Sequence, residues 1–125
     1  MNPGCKRRTA IEALELAKAA AQALADKKGE NICLMDVGEH SSITEYFLIV
    51  SGSSPPHLKA LFQTVQRDLK DKDVRCYRKA GTPDGGWLVL DYVDVVIHIF
   101  REELRMYYAI EELWNQAPRV DLPDL

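Results

Sequence analysis

Cysteine is scarce in this chain, and its three cysteines do not form a recognisable set. Cys5, Cys33 and Cys76 are far apart, odd in number and outside any CxxC or Cys/His spacing. The pattern therefore indicates neither a disulfide framework nor a zinc site. Since cysteines that are not paired are typical of reducing compartments, we expect the protein in the cytoplasm.

Long apolar runs are also lacking. No run approaches the roughly 18 apolar residues that a membrane-spanning helix requires, and residues 1–8 lack the apolar stretch of a signal peptide. We therefore expect no membrane partner.

An excess of basic residues is missing as well. The 125 residues contain 16 Lys and Arg against 19 Asp and Glu, which gives a formal net charge of −3. Domains that bind nucleic acids in general are usually basic, so we expect little direct contact with RNA. The hydrophobic fraction of 46% and the length are typical of a single globular domain with one core.

The charge is unevenly distributed along the chain. Residues 1–81 carry 13 basic and 10 acidic side chains, whereas residues 82–125 carry 3 basic and 9 acidic ones. The first part therefore has a net charge of +3 and the second part a net charge of −6. This imbalance favours an electropositive partner for the C-terminal third.

Hydrophobic periodicity and turn residues predict the element order α-β-β-α-β-β-β-α. A Thr9/Glu12 capping box and an N-cap at Ser54 followed by Pro55 mark the starts of the first two helices. The predicted helices are 9–28, 55–72 and 102–117, and the predicted strands are 31–37, 46–51, 74–78, 87–92 and 94–100. We expect an α/β fold with a mixed β-sheet and flanking helices. Residues 9–117 form the predicted domain, between a flexible N-terminus (1–8) and a loose C-terminal tail (118–125).

The hairpin formed by residues 87–100 is the most informative element. A two-residue loop at Tyr92 and Val93 would place Asp91 opposite Asp94 and Trp87 opposite His98. One face of this hairpin is wholly apolar and is predicted to be core: Leu88, Leu90, Val95, Ile97 and Ile99. The other face mixes aromatic, acidic and imidazole side chains: Trp87, Val89, Asp91, Asp94, Val96, His98 and Phe100.

Three interpretations of this mixed face remain open. Asp91 and Asp94 can be turn residues beside a half-buried His98, because carboxylates commonly flank turns. The same three residues can bind a divalent metal for phosphoryl or nucleotidyl transfer. Alternatively, the face is a protein-docking patch with Trp87 as its anchor, because Trp is enriched at interface hot spots.

Two further segments deserve an interpretation. The 51–55 loop precedes a helix, where backbone N–H groups can hold a phosphate. It lacks a Walker lysine and GxGxxG spacing, so we interpret it as a helix cap.

The last predicted helix carries a wide apolar band that includes Tyr107, Tyr108 and Trp114. This is more aromatic surface than a monomer ordinarily needs, which indicates partner binding or a homodimer.

Two sequence stretches resemble the ribosomal silencing factor family (RsfS, also called Iojap or YbeB-like). The first stretch is Asp36-Val37 with residues 41–47 and 49–54, and the second is the hairpin 87–100 followed by Glu102, Glu103 and Arg105. Tyr108, Leu113 and Trp114 extend the similarity, so that it covers roughly residues 9–117. One departure is Val93, where the family usually has glycine.

The resemblance implies a nucleotidyltransferase-like fold that binds ribosomal protein fourteen of the large ribosomal subunit. Family members thereby block joining with the small subunit and repress translation, and organellar relatives act in assembly of the large subunit. The resemblance also implies that the hairpin and the final helix form the docking surface. The candidate partner-binding residues are then Trp87, Leu88, Asp91, Asp94, His98, Phe100, Glu103 and Tyr107.

The same resemblance argues against catalysis. Nucleotidyltransferases carry an acidic pair on the strand that follows their Gly-Ser helix start, whereas this chain has Arg75, Arg78 and Lys79 in that region. Basic side chains offer no oxygen ligands to metal ions. We therefore expect no catalytic residue, no metal and no cofactor. The alternatives are a metal-dependent nucleotidyltransferase or phosphohydrolase that uses Asp91, Asp94 and His98, and a ribosome-assembly factor without silencing activity.

Overall fold

The computed structural model describes residues 10–39, 41 and 44–122. Their elements follow in the order α1 (Ala10–Asp26), β1 (Glu30–Asp36), β2 (Tyr46–Gly52), α2 (Pro55–Lys70), β3 (Arg78–Thr82), β4 (Trp87–Asp91), β5 (Val95–Arg101), α3 (Glu102–Tyr108), α4 (Ile110–Leu113) and β6 (Arg119–Val120). The predicted α/β class is confirmed. The expected flexible N-terminus and the Thr9 cap lie outside the described residues.

The strands form one mixed sheet in the order β3-β4-β5-β2-β1-β6. Strands β2 and β5 pair in parallel at its centre, and the other neighbouring strands are antiparallel. The parallel pair is joined through α2, β3 and β4, because parallel neighbours require a long crossover connection. β2 is almost entirely buried, as its continuous apolar sequence predicts.

Helices α1 and α2 cover one face of the sheet and form the larger core with it. Ala17, Ala20 and Ala21 of α1 are fully buried, so the helix backbone approaches the sheet closely. The apolar hairpin face belongs to this core, with Leu88 at 2% exposure and Leu90, Val95, Ile97 and Ile99 at 0%. That part of the hairpin prediction is confirmed. Among the described residues, no helix is long and apolar enough to span a membrane.

The second face of the sheet is covered only in part, by the C-terminal segment. A smaller core lies there, in which Met35, Ile49 and Phe100 of the sheet pack with Ile110 and Trp114. The predicted loose tail is wrong for its first residues, because Arg119 and Val120 pair with Met35 and Leu34 of β1 as strand β6. Residues 123–125 lie outside the description.

The last helix is not continuous, contrary to the prediction of one helix over 102–117. It breaks at Ala109, whose φ of 49° is left-handed, and restarts as α4. The break brings Glu111 to Arg105: Nε and Nη2 of the arginine donate to the two carboxylate oxygens at 2.8 and 3.0 Å. Residues six apart on a continuous helix point about 120° apart and cannot pair in this way. The periodicity of the apolar residues does not indicate the break at Ala109.

Arg105 also donates from Nη1 to the Ser51 hydroxyl at the end of β2, at 2.8 Å. Its side chain is only 8% exposed, so its charge depends on these partners. The hydrogen bonds from Arg105 lower the pKa of Glu111 below its ordinary value. One arginine therefore fastens α3 and α4 to the centre of the sheet.

The hairpin register differs from the predicted one by two residues. Trp87 lies opposite Phe100, Val89 opposite His98 and Asp91 opposite Val96. Val93 and Asp94 form the loop, because Tyr92 N donates to Val95 O. The predicted opposition of Asp91 and Asp94 is therefore wrong, while the predicted division into two faces holds, since a shift by two preserves alternation.

The turn requires a left-handed residue, and a β-branched one occupies it. Val93 has φ of 76°, a conformation that glycine adopts freely and valine only at a cost. Asp91 compensates in part, because its Oδ1 accepts a hydrogen bond from Val93 N at 2.8 Å. The interpretation of Asp91 as a turn residue is thereby confirmed.

Strand β3 begins four residues later than the predicted strand 74–78. Val74 and Cys76 are half-buried against the core, which produced the strand-like pattern, but the chain is still crossing from α2 to the sheet edge there. Residues Arg78–Thr82 pair with β4 instead and are all exposed, so they lack apolar alternation. The 82–86 turn is confirmed: Gly85 N donates to Thr82 Oγ1, and Gly86 N donates to Pro83 O.

We expect Val93→Gly to stabilise the protein by about 1 kcal/mol, because the relief of backbone strain outweighs the added entropy of the unfolded chain. Urea denaturation measures this change. Val96→Gly is the matched control, since Val96 is also half-buried but lies in regular strand, where glycine destabilises. A loss of stability in both variants would contradict the strain at Val93.

Arg105→Lys should lower the free energy of unfolding by about 2 kcal/mol, because lysine keeps the charge but cannot bridge Ser51 and both oxygens of Glu111. Arg101→Lys serves as its control: Arg101 forms an exposed ion pair with Glu103 at 3.4 Å, and such pairs contribute at most about 1 kcal/mol. Equal losses in the two variants would refute the anchoring role of Arg105.

Candidate functional site

The uncovered part of the second sheet face carries a cluster of aromatic rings around Trp87. Its indole stacks on Phe100 with 4.8 Å between ring centroids and contacts Tyr108 of α3 at 4.9 Å. Tyr108 in turn meets Tyr107 edge-on at 5.2 Å. Alternation along β4 and β5 places Trp87, Phe100 and His98 on the same face, and α3 adds the two tyrosines from the end of β5.

His98 supports the indole from below. Trp87 Nε1 donates to His98 Nδ1 at 3.2 Å, which assigns the proton of the neutral imidazole to Nε2. His98 is 8% exposed and its ring lies 5.2 Å from that of Phe47 and 5.9 Å from that of Phe100. Burial among these rings lowers the pKa of His98 to about 4. At neutral pH the imidazole is therefore an uncharged acceptor that fixes the orientation of Trp87.

Helix α3 presents three consecutive apolar side chains to solvent. Met106 is 73% exposed, Tyr107 79% and Tyr108 47%. Consecutive residues of a helix point about 100° apart, so only a helix that packs along a narrow stripe leaves three in a row exposed. We group these three side chains with the half-buried Trp87, which Tyr108 contacts, under the name aromatic surface (Trp87, Met106, Tyr107 and Tyr108).

Acidic side chains stand beside the aromatic surface. Glu102 and Glu103 are exposed in the first turn of α3, where the positive end of the helix dipole favours them. Glu112 of α4 is exposed as well. Glu102 and Glu103 of the acidic C-terminal third thus share a short helix with the exposed aromatic rings, and Glu103 pairs with Arg101 at 3.4 Å.

The predicted partner-binding residues divide into two groups. Trp87, Asp91, Glu103 and Tyr107 reach the surface. The remaining four are buried and offer a partner almost no contact area: Leu88 at 2% exposure, Asp94 at 1%, Phe100 at 1% and His98 at 8%.

The fold accounts for the burial of each of these four side chains. Leu88 faces the helix-covered core, because its position in β4 alternates with that of Trp87. Asp94 lies in the hairpin turn, where its carbonyl accepts from Glu45 N and Tyr46 N. His98 and Phe100 lie beneath Trp87 and support it. Met106 and Tyr108 of α3, which were not in the predicted set, are exposed.

The proposed metal-binding triad does not form. His98 lies opposite Val89 rather than beside Asp91, and its Nδ1 already accepts from Trp87. Within the part of the chain that the structure describes, no group of three or more His, Cys, Asp or Glu side chains could hold a metal ion.

The Ser-Gly loop before α2 acts as a helix start. Ser54 Oγ accepts from His57 N at 3.3 Å, which makes Ser54 the N-cap. His57 Nδ1 accepts from Ser53 N at 2.9 Å, and Ser51 is held by Arg105. The interpretation of residues 51–55 as a cap is confirmed, because these hydroxyl groups are used within the fold.

Comparison with known proteins identifies relatives over most of the chain. The family model described as "Ribosomal silencing factor during starvation" matches residues 10–125. The ribosomal silencing factor RsfS of Bacillus subtilis is 33% identical over 105 residues, which cover 84% of this chain and 89% of that protein. A mouse protein named "Mitochondrial assembly of ribosomal large subunit protein 1" is 31% identical over 95 residues, 74% of this chain and 42% of that protein.

A crystal structure of a Chromobacterium violaceum protein has the same fold, with a TM-score of 0.80 at 35% identity, covering 82% of this chain and 86% of that one. Because the family model spans nearly the whole described chain, the protein belongs to the family of ribosomal silencing factors, whose role is regulatory rather than catalytic.

Proposed function

We propose that this protein represses translation by binding the large ribosomal subunit through ribosomal protein fourteen and sterically blocking its joining with the small subunit. The aromatic surface makes the contact with the ribosomal protein. The repression takes place in the cytoplasm and requires neither a cofactor nor a catalytic step. The observation that carries this proposal is the exposure of Met106, Tyr107 and Tyr108 beside a Trp87 whose orientation is fixed by His98.

The chemistry of the aromatic surface suits protein docking. Aromatic side chains and Met are enriched in the centres of interfaces, and rigid rings lose little conformational entropy on binding. Trp87 is held by a hydrogen bond and by stacking on Phe100 before any partner arrives, so its ordering adds no cost at binding.

The acidic side chains beside this surface suit a basic partner. Glu102, Glu103 and Glu112 are exposed, and residues 82–125 carry a net charge of −6. Proteins that bind ribosomal RNA are themselves basic, so attraction at long range would speed the encounter and orient it. The charges of the three glutamates contribute to the rate of association more than to the lifetime of the complex.

A second candidate function is large-subunit assembly without silencing. The mouse relative favours it, because that protein is named for assembly of the mitochondrial ribosomal large subunit. Both functions would use the same docking surface. A subunit-joining assay separates them, since only a silencing factor lowers the yield of joined ribosomes when added to mature subunits. A homodimer through the aromatic surface would instead compete with subunit binding.

The double variant Met106→Ser/Tyr107→Ser should weaken co-sedimentation with purified large subunits by at least about tenfold, because it removes two exposed side chains of the aromatic surface. Both positions are more than 70% exposed, so the fold should be unaffected. The corresponding loss of inhibition should appear in the joining assay.

Tyr77→Ser is the matched control for this experiment. Tyr77 is 50% exposed, just before β3 and outside the aromatic surface. We expect this variant to bind like the unaltered chain. Full subunit binding by the double variant, or an equal loss with Tyr77→Ser, would refute the assignment of the docking surface.

The neutral His98 beneath Trp87 predicts a pH dependence of stability. Its pKa falls from 6.5 to about 4 on folding, so between these values the unfolded chain binds a proton that the folded chain does not. The free energy of unfolding is therefore unaffected by this group above pH 6.5. As the pH falls towards 4, the titration of His98 lowers it by about 3 kcal/mol in total.

His98→Gln tests this dependence, since glutamine can still accept from Trp87 Nε1 but does not titrate. Urea denaturation between pH 7 and pH 4 should give a shallower decline for the variant than for the unaltered chain. Parallel pH profiles would show that His98 is not the titrating group.

A further inference from the structure

A second feature lies on the helix-covered side of the sheet, away from the aromatic surface. A cavity of about 290 Å³ opens between the C-terminal end of α2 and the β3 edge. Lys70 of α2, Arg75 of the connecting segment and Lys79 of β3 line it, and Gln66 and Tyr92 complete its polar lining. Three cationic side chains from three successive parts of the chain therefore converge on one opening.

No acidic side chain lines this cavity. Lys70, Arg75 and Lys79 are all exposed, and none of them forms a salt bridge within residues 10–39, 41 and 44–122. Like charges that converge repel one another, so an anion in the cavity would lower their energy. Gln66 can add an amide donor.

Arg78 and Lys79 are neighbours in β3, so their side chains point to opposite faces of the sheet. Lys79 lies opposite Leu90, so its side chain is on the side of α2. Arg78 lies opposite Asp91 on the other face, and its Nη2 contacts Asp91 Oδ2 at 3.4 Å. The unpaired cation is thus directed to the cavity, while the paired cation is directed away from it.

We propose that this basic cavity (Lys70, Arg75 and Lys79) binds the phosphate backbone of an RNA strand. Its cations are exposed and carried by long side chains, as in sites that follow a nucleic-acid backbone. The choice of RNA over a free nucleotide rests on the proposed function, since a protein docked on the large subunit lies beside ribosomal RNA. The net charge of −3 predicts little direct contact with RNA, and this proposal confines that contact to the basic cavity.

The basic cavity and the aromatic surface can be occupied at the same time. The cavity borders the Asp91 end of β4 and opens on the face that α2 covers, whereas Trp87 lies at the other end of β4 and on the opposite face. A protein partner at Trp87 therefore leaves the cavity accessible to an RNA strand.

The test is fluorescence anisotropy of the full chain with a labelled single-stranded RNA on the order of 12 nucleotides long. The triple variant Lys70→Gln/Arg75→Gln/Lys79→Gln should bind about tenfold more weakly. The slope of log affinity against log salt should fall by about 2, because each lost phosphate contact on a single strand contributes about 0.7.

Arg78→Gln is the matched control, because it removes a neighbouring exposed cation that faces away from the cavity. It should retain the affinity and the salt slope of the unaltered chain. The proposal is overturned if the unaltered chain does not bind the RNA, if Arg78→Gln loses as much affinity as the triple variant, or if adenosine monophosphate displaces the RNA at equal phosphate concentration.

The two proposals can fail separately. Met106→Ser/Tyr107→Ser should keep its RNA affinity while losing large subunits, and the triple variant should keep some subunit binding that has become less sensitive to salt. Loss of RNA binding in the Met106→Ser/Tyr107→Ser variant would contradict the independence of the basic cavity.

Discussion

The buried guanidinium of Arg105 is the interaction on which the second face of this protein depends. It joins the end of β2, through Ser51, to Glu111 in α4. A buried cation without these partners would be costly, so the chain must turn at Ala109 to supply the carboxylate. Arg119 extends the arrangement, because it donates to Cys33 Sγ at 2.8 Å and lies 3.7 Å from Glu111. The placement of α3, α4 and β6 follows from this one group.

The exposed aromatic rings are a consequence of that anchoring. Since Arg105 is the inward-facing residue of α3, the next three side chains are directed to solvent or to Trp87. A short helix held by one charged residue does not need an apolar stripe to pack, so its apolar residues remain exposed. The sheet supplies rigidity beneath them through Phe100 and the uncharged His98. Preorganised rings on a rigid support are what a docking surface requires.

Sequence patterns predicted the elements whose burial is regular. The apolar face of the β4–β5 hairpin, the cap at Ser54 and the mixed α/β class all follow from periodicity and turn chemistry. Sequence patterns did not predict the two-residue shift in the hairpin register, because the strained φ at Val93 goes against the preference of valine. The break at Ala109 depends on Arg105 meeting Glu111, a tertiary contact that helical periodicity does not encode. Strand β3 was misplaced because its exposed residues carry no apolar alternation.

The sequence predicted which side chains of the candidate site share a face, but not which of them are exposed. Alternation placed Trp87, His98 and Phe100 on one face, yet only burial distinguishes the surface ring from the two rings that support it. The same distinction supports the proposed docking over catalysis. A catalytic site gathers polar groups in a cleft, whereas here Asp91 is used by the turn at Val93 and His98 Nδ1 by the indole, while His98 Nε2 is buried. Met106, Tyr107 and Tyr108 remain exposed, and apolar side chains gain free energy when another protein covers them.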